Sequence, residues 1–433
     1  MKRLLIIMLI LTACTENQIE TKKFQIESGV EFTQPTLSSY GSSIAFKYEK
    51  DGKEFLQFND QTIGPYETIN LFTLSPDGLR YVIQYEESGK EYFRVDEKTY
   101  GPFSNSGKVL FSDDSKSFGV VYYKNEDDKY VQVNEKIYGP YDGSSYIVNF
   151  IPNSSNYYFW YAKGVEYFIQ WNEKTVGPFK SDVFPCVSND GTTLAYILKE
   201  NKKSVIKVGD RTFEPYEYSF GLLLSDNGKH YMYEFAKAGQ SYIQVDDNTF
   251  GPFEKVSRSH ISNDGLTHSF IYSKNGKQFV QKNDQTFGPF DEVDDVALSG
   301  DGAIIGIRYK NNNQLFAQVN DLTIGPVQDV FYPNFSESGK RIAWQYIEND
   351  SHYIMVDKEK SGPFEDCTTP IFSSDGNRFA YSYSDKTGTY LKYIDKVFGP
   401  YPWIEFTFDN DNNLIFAYSK AGENFITKEI HRK

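Results

Sequence analysis

The residues of this chain with the plainest capacity for chemistry are carboxylates in adjacent pairs. Asp246-Asp247, Asn283-Asp284 and Asn320-Asp321 recur in like positions, and Asp291-Glu292 with Asp294-Asp295 crowd one short connection. Such groups can ligate a hard cation such as calcium, or divide acid and base roles across a glycosidic bond. None completes the Asp-x-Asp-x-Asp-Gly loop ending in Glu that holds calcium. Asp, Asn and Gly are also the ordinary residues of hairpin turns. Turns are therefore the first expectation, and no metal, cofactor, catalytic or ligand-binding residue is assigned. His230, His260, His268, His352 and His431 show neither His-x-x-x-His nor Cys-His spacing, so no zinc site is expected and they are placed in loops or on the surface. No Gly-x-Ser-x-Gly elbow occurs. Cys186 and Cys367 stand at different places in repeats five apart, which predicts two isolated buried thiols. Trp160, Trp171, Trp344 and Trp403 could stack on a ligand if exposed.

All of these residues ride on one repeating element. A Gly-Pro-aromatic step, first seen at Gly64-Pro65-Tyr66, returns every 37 or 38 residues as far as Gly399-Pro400-Tyr401, with Val327 replacing the ring once and a worn copy at Glu214-Pro215-Tyr216. A period this regular means an array of one supersecondary unit. In residues 67–103, three turn signals, Ser75-Pro-Asp-Gly78, Glu87-Ser-Gly-Lys90 and Asp96-Glu-Lys98, separate four short runs rich in β-branched and aromatic residues. That pattern predicts a four-stranded antiparallel meander, strands a to d. Proline cannot donate to a ladder, so the Gly-Pro step marks strand d as the outer edge and a as the inner one. One such sheet cannot bury enough surface to fold alone, whereas sheets packed face to face can. Aromatic residues make up 17% of the chain and are spread through every unit, as filling for gaps that widen away from an axis requires.

The a–b turn recurs as Ser188-Asn-Asp-Gly191, Ser225-Asp-Asn-Gly228, Ser262-Asn-Asp-Gly265, Ser299-Gly-Asp-Gly302, Ser336-Glu-Ser-Gly339 and Ser373-Ser-Asp-Gly376. Here the chain resembles the WD-like, TolB-type propeller repeats of bacterial envelope proteins, marked by Ser-Pro-Asp-Gly leading into a strand, a motif shared with the propeller parts of prolyl-oligopeptidase relatives. Only Ser75-Pro76-Asp77-Gly78 is a full copy. The resemblance implies an all-β propeller over residues 24–433 and leaves function open, because such propellers serve binding, scaffolding and catalysis alike. No hydrolase-sized domain follows the repeats, so peptidase activity is not carried over.

The turns mark eleven four-stranded blades, more than the usual four to eight. A single large ring, two rings of about five and six blades, and an open solenoid all fit. The last unit, from Pro402, lacks a Gly-Pro strand, and Phe24 to Phe32 lies where a strand d should be. This segment is expected to complete the last blade and close the array.

The beginning of the chain has a basic Met1-Lys2-Arg3 and an apolar run too short to span a bilayer, ending in Leu11-Thr12-Ala13-Cys14. It resembles the bacterial lipoprotein box. The resemblance implies that residues 1–13 are a cleaved signal peptide and that Cys14 carries the acyl groups, palmitate among them. Residues 14–23 would be a lipidated tether, with Thr15, not Asp, directing the protein to the outer membrane. Without Lys2 and Arg3 the chain has 43 basic and 59 acidic residues, a net charge of −16, which disfavours nucleic acid. The expected function is a lipid-anchored envelope propeller that acts as a non-catalytic scaffold for another envelope protein. A propeller binding a glycan, peptide or small ligand is the alternative, and a lyase or hydrolase using channel carboxylates the third reading.

Overall fold

The computed structural model describes residues 18–24, 33, 36–41, 43–141, 147–420 and 423–430. They form eleven antiparallel sheets, each a meander in chain order. Sheets 1 to 10 span residues 36–66, 68–103, 105–141, 149–179, 183–212, 218–253, 255–290, 292–327, 329–364 and 366–401, and sheet 11 joins residues 404–430 to 18–24. In sheet 2 the expected strands are Thr68–Leu74, Tyr81–Glu87, Lys90–Val95 and Lys98–Phe103. The arrangement is all-β, with the sheets stacked as propeller blades. Each sheet lies face to face on the next, and first strands of neighbouring sheets approach one another, as Val183–Val187 does Tyr218–Leu224.

The Gly-Pro-aromatic step has a mechanical reason. In strand d it forms a bulge, so that Tyr66 pairs with Glu54 while Ile63 pairs with Leu56. The ring of the strand-c residue between them lies flat on the bulge. The glycines there have φ between 113° and 140°, and a Cβ on Gly101 would fall 2.7 Å from Tyr92 Cδ1. Only glycine leaves room. The strand-c ring stacks in turn on a strand-b ring: Tyr85 on Tyr92, Tyr309 on Phe316 and Tyr383 on Tyr390 have centroids 5.3–5.4 Å apart. The aromatic after proline reaches across to the strand-b ring of the next sheet, as Tyr66 to Tyr85 at 4.4 Å and Phe103 to Tyr122 at 4.3 Å. Most joints between consecutive sheets are thus closed by a three-ring pile, the packing role expected of that residue, while Leu198 and Val205 replace the rings in sheet 5 and Val327 the ring after proline in sheet 8.

The a–b turn is equally explicable. Ser75 Oγ donates to Asp77 Oδ1 at 2.6 Å and accepts from the Arg80 N–H at 3.0 Å, and Gly78 turns the chain with φ 70°. Ser188, Ser262 and Ser373 repeat the bond to their own Asp at 2.6 Å, each nearly sealed from solvent. Neighbouring turns are tied by main-chain bonds, such as Asp190 N–H to Asp226 O at 2.9 Å and Asp226 N–H to Asn263 O at 2.8 Å.

The sequence places the strand that completes the last sheet at residues 24–32, and this is corrected. The completing strand is Gln18–Phe24, running antiparallel to Glu423–Ile430 with Gln18 opposite Ile430 and Phe24 opposite Asn424. It begins inside the stretch expected as tether, and Phe24 alone belongs to both assignments. Residues 25–32, like the leader and Cys14, lie outside the described residues. A further joint links sheet 11 to sheet 1. Ala417 packs with Ile44 and Phe46, Thr407 Oγ1 donates to Ser39 O at 3.0 Å, and a Cβ on Gly41 would meet Ile415 Cγ1 at 2.5 Å.

Candidate functional site

The carboxylate pairs singled out by sequence are occupied in building the turns. At the c–d turns an Asn or Asp in the left-handed region, φ 46–54° for Asn59, Asp96, Asp246, Asn283 and Asn320, offers its side-chain oxygen to the N–H that starts strand b. Asp246 Oδ1 accepts from Tyr231 at 3.0 Å and its Oδ2 meets His230 Nδ1 at 2.7 Å, Asn283 accepts from His268 at 2.9 Å, and Asn320 accepts from Ile305 at 3.1 Å. Asp247 pairs with Arg211 at 2.7 Å. Among the described residues no three His, Cys, Asp or Glu side chains gather as a metal site.

The other acidic crowd lies on and before the first strand of sheet 8, Glu292–Leu298, and is met by cations from both sides. Lys310 Nζ reaches Glu292 at 2.8 Å and Asp294 at 3.2 Å, which raises the lysine's pKa through those hydrogen bonds. Arg308 joins Asp329 at 3.0 Å and Asp294 at 3.4 Å, and Arg258 approaches Asp295 at 3.5 Å. Asp291 pairs with Lys277, which holds its carboxyl below the usual range. Next to this arc, Glu234 is 2% exposed. Ser259 Oγ donates to its Oε1, its Oε2 has no partner, and burial pushes its pKa up.

The structure corrects the placement of three histidines. His260, His268 and His352 sit half-buried in the strands Lys255–Ile261, His268–Lys274 and Ser351–Val356, and the first two have Nε2 shut away from solvent and pKa values lowered by burial. Position in the repeat decides this for His268, which replaces the core residues Tyr81 and Ile305 of other sheets. His431 is outside the described residues. The thiols are free, and burial pushes Cys186 up to about 11 and Cys367 up to about 12. Trp344 belongs to the core at 1% exposure, while Trp160, Trp171 and Trp403 are half-buried against their neighbours.

The exposed rings are others, which sequence reasoning missed. First strands carry a bulge midway, as between Ile69 and Leu71, between Phe220 and Leu223, and between Val293 and Asp295. The bulge re-aims side chains that a flat strand would bury. Leu71 and Phe220, at 45% exposure, stand at these bulges, Phe331 and Tyr332, at 62%, stand between the short strands Asp329–Val330 and Asn334–Phe335, and Phe184 stands in the unbulged Val183–Val187. Tyr218 stacks beside Phe220 with centroids 6.0 Å apart, and Lys199 lies 5.1 Å from the Phe184 ring centre. Tyr218, opposite Ala236, is nearest the b–c turns, while Phe184 opposite Ile197 and Phe220 opposite Glu234 lie midway along strand b. Two recesses accompany them. One of about 390 Å3 is walled by Phe111, Ile147, Phe150, Pro152 and Tyr158. The other, about 280 Å3, mixes Tyr85 and Tyr92 with Gln84, Glu91, Ser106 and Lys108.

No protein-family model and no curated protein sequence matches the chain. Among solved structures it is similar to the Dos1 propeller, with 9% identity and a TM-score of 0.35 over 66% of this chain and 92% of that one. It is also similar to TolB from Acinetobacter baumannii, with 15% identity and a TM-score of 0.29 over 65% of this chain and 78% of that one. Likeness at these scores carries no argument, and the blade architecture rests on the sheets themselves.

Proposed function

We propose that the eleven sheets close into a single ring, anchored in the bacterial envelope by lipid on Cys14 at the outer membrane, and that this ring is a non-catalytic scaffold that docks an envelope protein on the end carrying its b–c turns. Support for one ring comes from the joint between sheets 11 and 1, which has the same packed and hydrogen-bonded character as the joints between consecutive sheets. Strand 18–24 acts there as the clasp, since it gives the last sheet the fourth strand that its own unit lacks.

The observation that carries the scaffold reading is the set of exposed rings along the first strands, Phe184, Tyr218, Phe220, Phe331 and Tyr332. Large apolar side chains beside charges already paired among themselves are what anchor a protein interface, because the rings gain by burial and the charges lose little. Brief crosslinking followed by isolation of the lipidated protein from gently solubilised envelopes tests this. One partner at near-equal amount, lost on Phe220→Ala/Tyr332→Ala, is expected, and recovery of no partner would overturn it. For the anchor, Cys14→Ser is expected to leave the membrane fraction, and unchanged membrane association would sink it.

A second reading, a glycan, peptide or small-ligand site, is favoured by the recess at Tyr92 and Lys108, which pairs ring faces with hydrogen-bonding side chains. Calorimetric titration with peptidoglycan fragments separates it from the first, with heat abolished by Lys108→Ala as its mark.

A further inference from the structure

The clasp strand fixes which end of the molecule meets the bilayer. Gln18 lies opposite Ile430, where sheet 11 ends its strand c, next to the turn of residues 409–413, and Phe24 lies opposite Asn424 at the b–c end. The chain therefore enters the last sheet from the end that carries the a–b and c–d turns. From Cys14 to Gln18 there are four chain steps, a reach of at most about 14 Å. The strand itself, seven residues long, puts its far end about 20 Å from Gln18. A lipid on Cys14 cannot reach back to the b–c end.

We propose that the ring is held to the bilayer at the a–b and c–d turn end of sheet 11, so that the b–c end, nearest which Tyr218 stands, is turned away from the membrane. This rests on the reading of Cys14 as the lipidated residue. The occupant of the anchored end is the bilayer that receives the acyl chains, as the short length of chain beyond the strand and the place where it leaves the sheet require. The described turns around that point carry Asp60, Asp375, Asp395, Asp409 and Asp411 against Arg378 and Lys396, while Arg432 and Lys433 follow Ile430 in the sequence. The hold is therefore assigned to the acyl chains. A partner docking on the exposed rings would then approach from the aqueous side.

The test uses the full lipidated chain in vesicles of phosphatidylethanolamine and phosphatidylglycerol bearing a headgroup spin-label quencher. A fluorophore is placed at Asn410→Cys in the a–b turn of sheet 11, at Lys386→Cys in the b–c turn of sheet 10, or at Asp210→Cys in the c–d turn of sheet 5. The native thiols Cys186 and Cys367 are buried or half-buried, and a chain without added cysteine corrects for their labelling. Several-fold stronger quenching at residue 410 than at 386 or 210 is expected. Quenching at residue 386 equal to or above that at 410 overturns the orientation alone. If the unsubstituted protein fails to float with the vesicles, the anchor is refuted and the orientation falls with it.

Discussion

Sheets 2 and 5 are built on the same plan, and sheet 5 has lost one part of it in three places at once. In sheet 2 the rings of Tyr85 and Tyr92 stack, and Gly101 gives Tyr92 room. In sheet 5 the paired residues at those positions are Leu198 and Val205, and Glu214 stands where the glycine would be. Without a ring to lie on the bulge, nothing requires a glycine, and strand d shrinks to Arg211–Thr212. Yet Tyr216 still reaches Phe235 of sheet 6 at 4.2 Å. The ring after proline serves the next sheet, whereas the glycine serves its own. The worn copy is therefore a coherent local variant that keeps sheets 5 and 6 packed on one another.

Perturbations can push this comparison apart or close it. The largest effect is expected from removing residues 18–24, because every other sheet has its fourth strand and sheet 11 would not. The loss should be comparable with the roughly 5–15 kcal/mol that usually separates native from unfolded states. A melting transition that is unchanged would show that the clasp does not hold the array. Tyr85→Ala removes a ring that packs on both Tyr66 and Tyr92 and is expected to cost about 3–5 kcal/mol in denaturant unfolding.

Gly101→Ala comes next, since the new Cβ meets both the Tyr92 ring and the Glu91 carbonyl at a φ of 130°. In a Tyr92→Val background, which imitates sheet 5, its cost should shrink by about 0.5–3 kcal/mol, the range for residues in contact. Additive costs would mean that ring and glycine are not coupled. Glu214→Ala is expected to change stability by less than about 0.5 kcal/mol.

A further effect, dependent on pH, concerns Glu234. Its folded-state pKa is raised by burial, so its contribution is fully present below the ordinary value of 4.5 and is lost as pH rises through the higher folded value. Glu234→Gln should leave stability unchanged in acid and raise it near neutrality by on the order of 1 kcal/mol. A difference that appears only in acid would contradict the assignment.

Much of the fold was legible because its rules are local. Ser75 and Asp77 close their turn by themselves, and Gly101 answers a ring a few residues away, so both leave a mark at fixed spacing. The completing strand has no such mark. Gln18–Phe24 carries no Gly-Pro step and pairs with residues at the other end of the chain, so its place just before the first unit was read too late, at Phe24 to Phe32. The exposed rings were hidden for a different reason. In a chain where rings fill most joints, Phe220 and Tyr332 look like core residues, and only the bulge at Phe220 and the break between the short strands around Tyr332 turn them outward. The acidic pairs were legible as turn residues, since Asp246 and Asn283 are spent on the N–H groups of Tyr231 and His268.

The single closed ring proposed above underlies the proposed anchor geometry and docking face alike, and its direct test is single-particle electron microscopy of the purified chain. The account predicts face-on class averages with eleven blades around one central opening, the last completed by the strand of residues 18–24. Two smaller rings, or an open arc with sheets 1 and 11 apart, would contradict it.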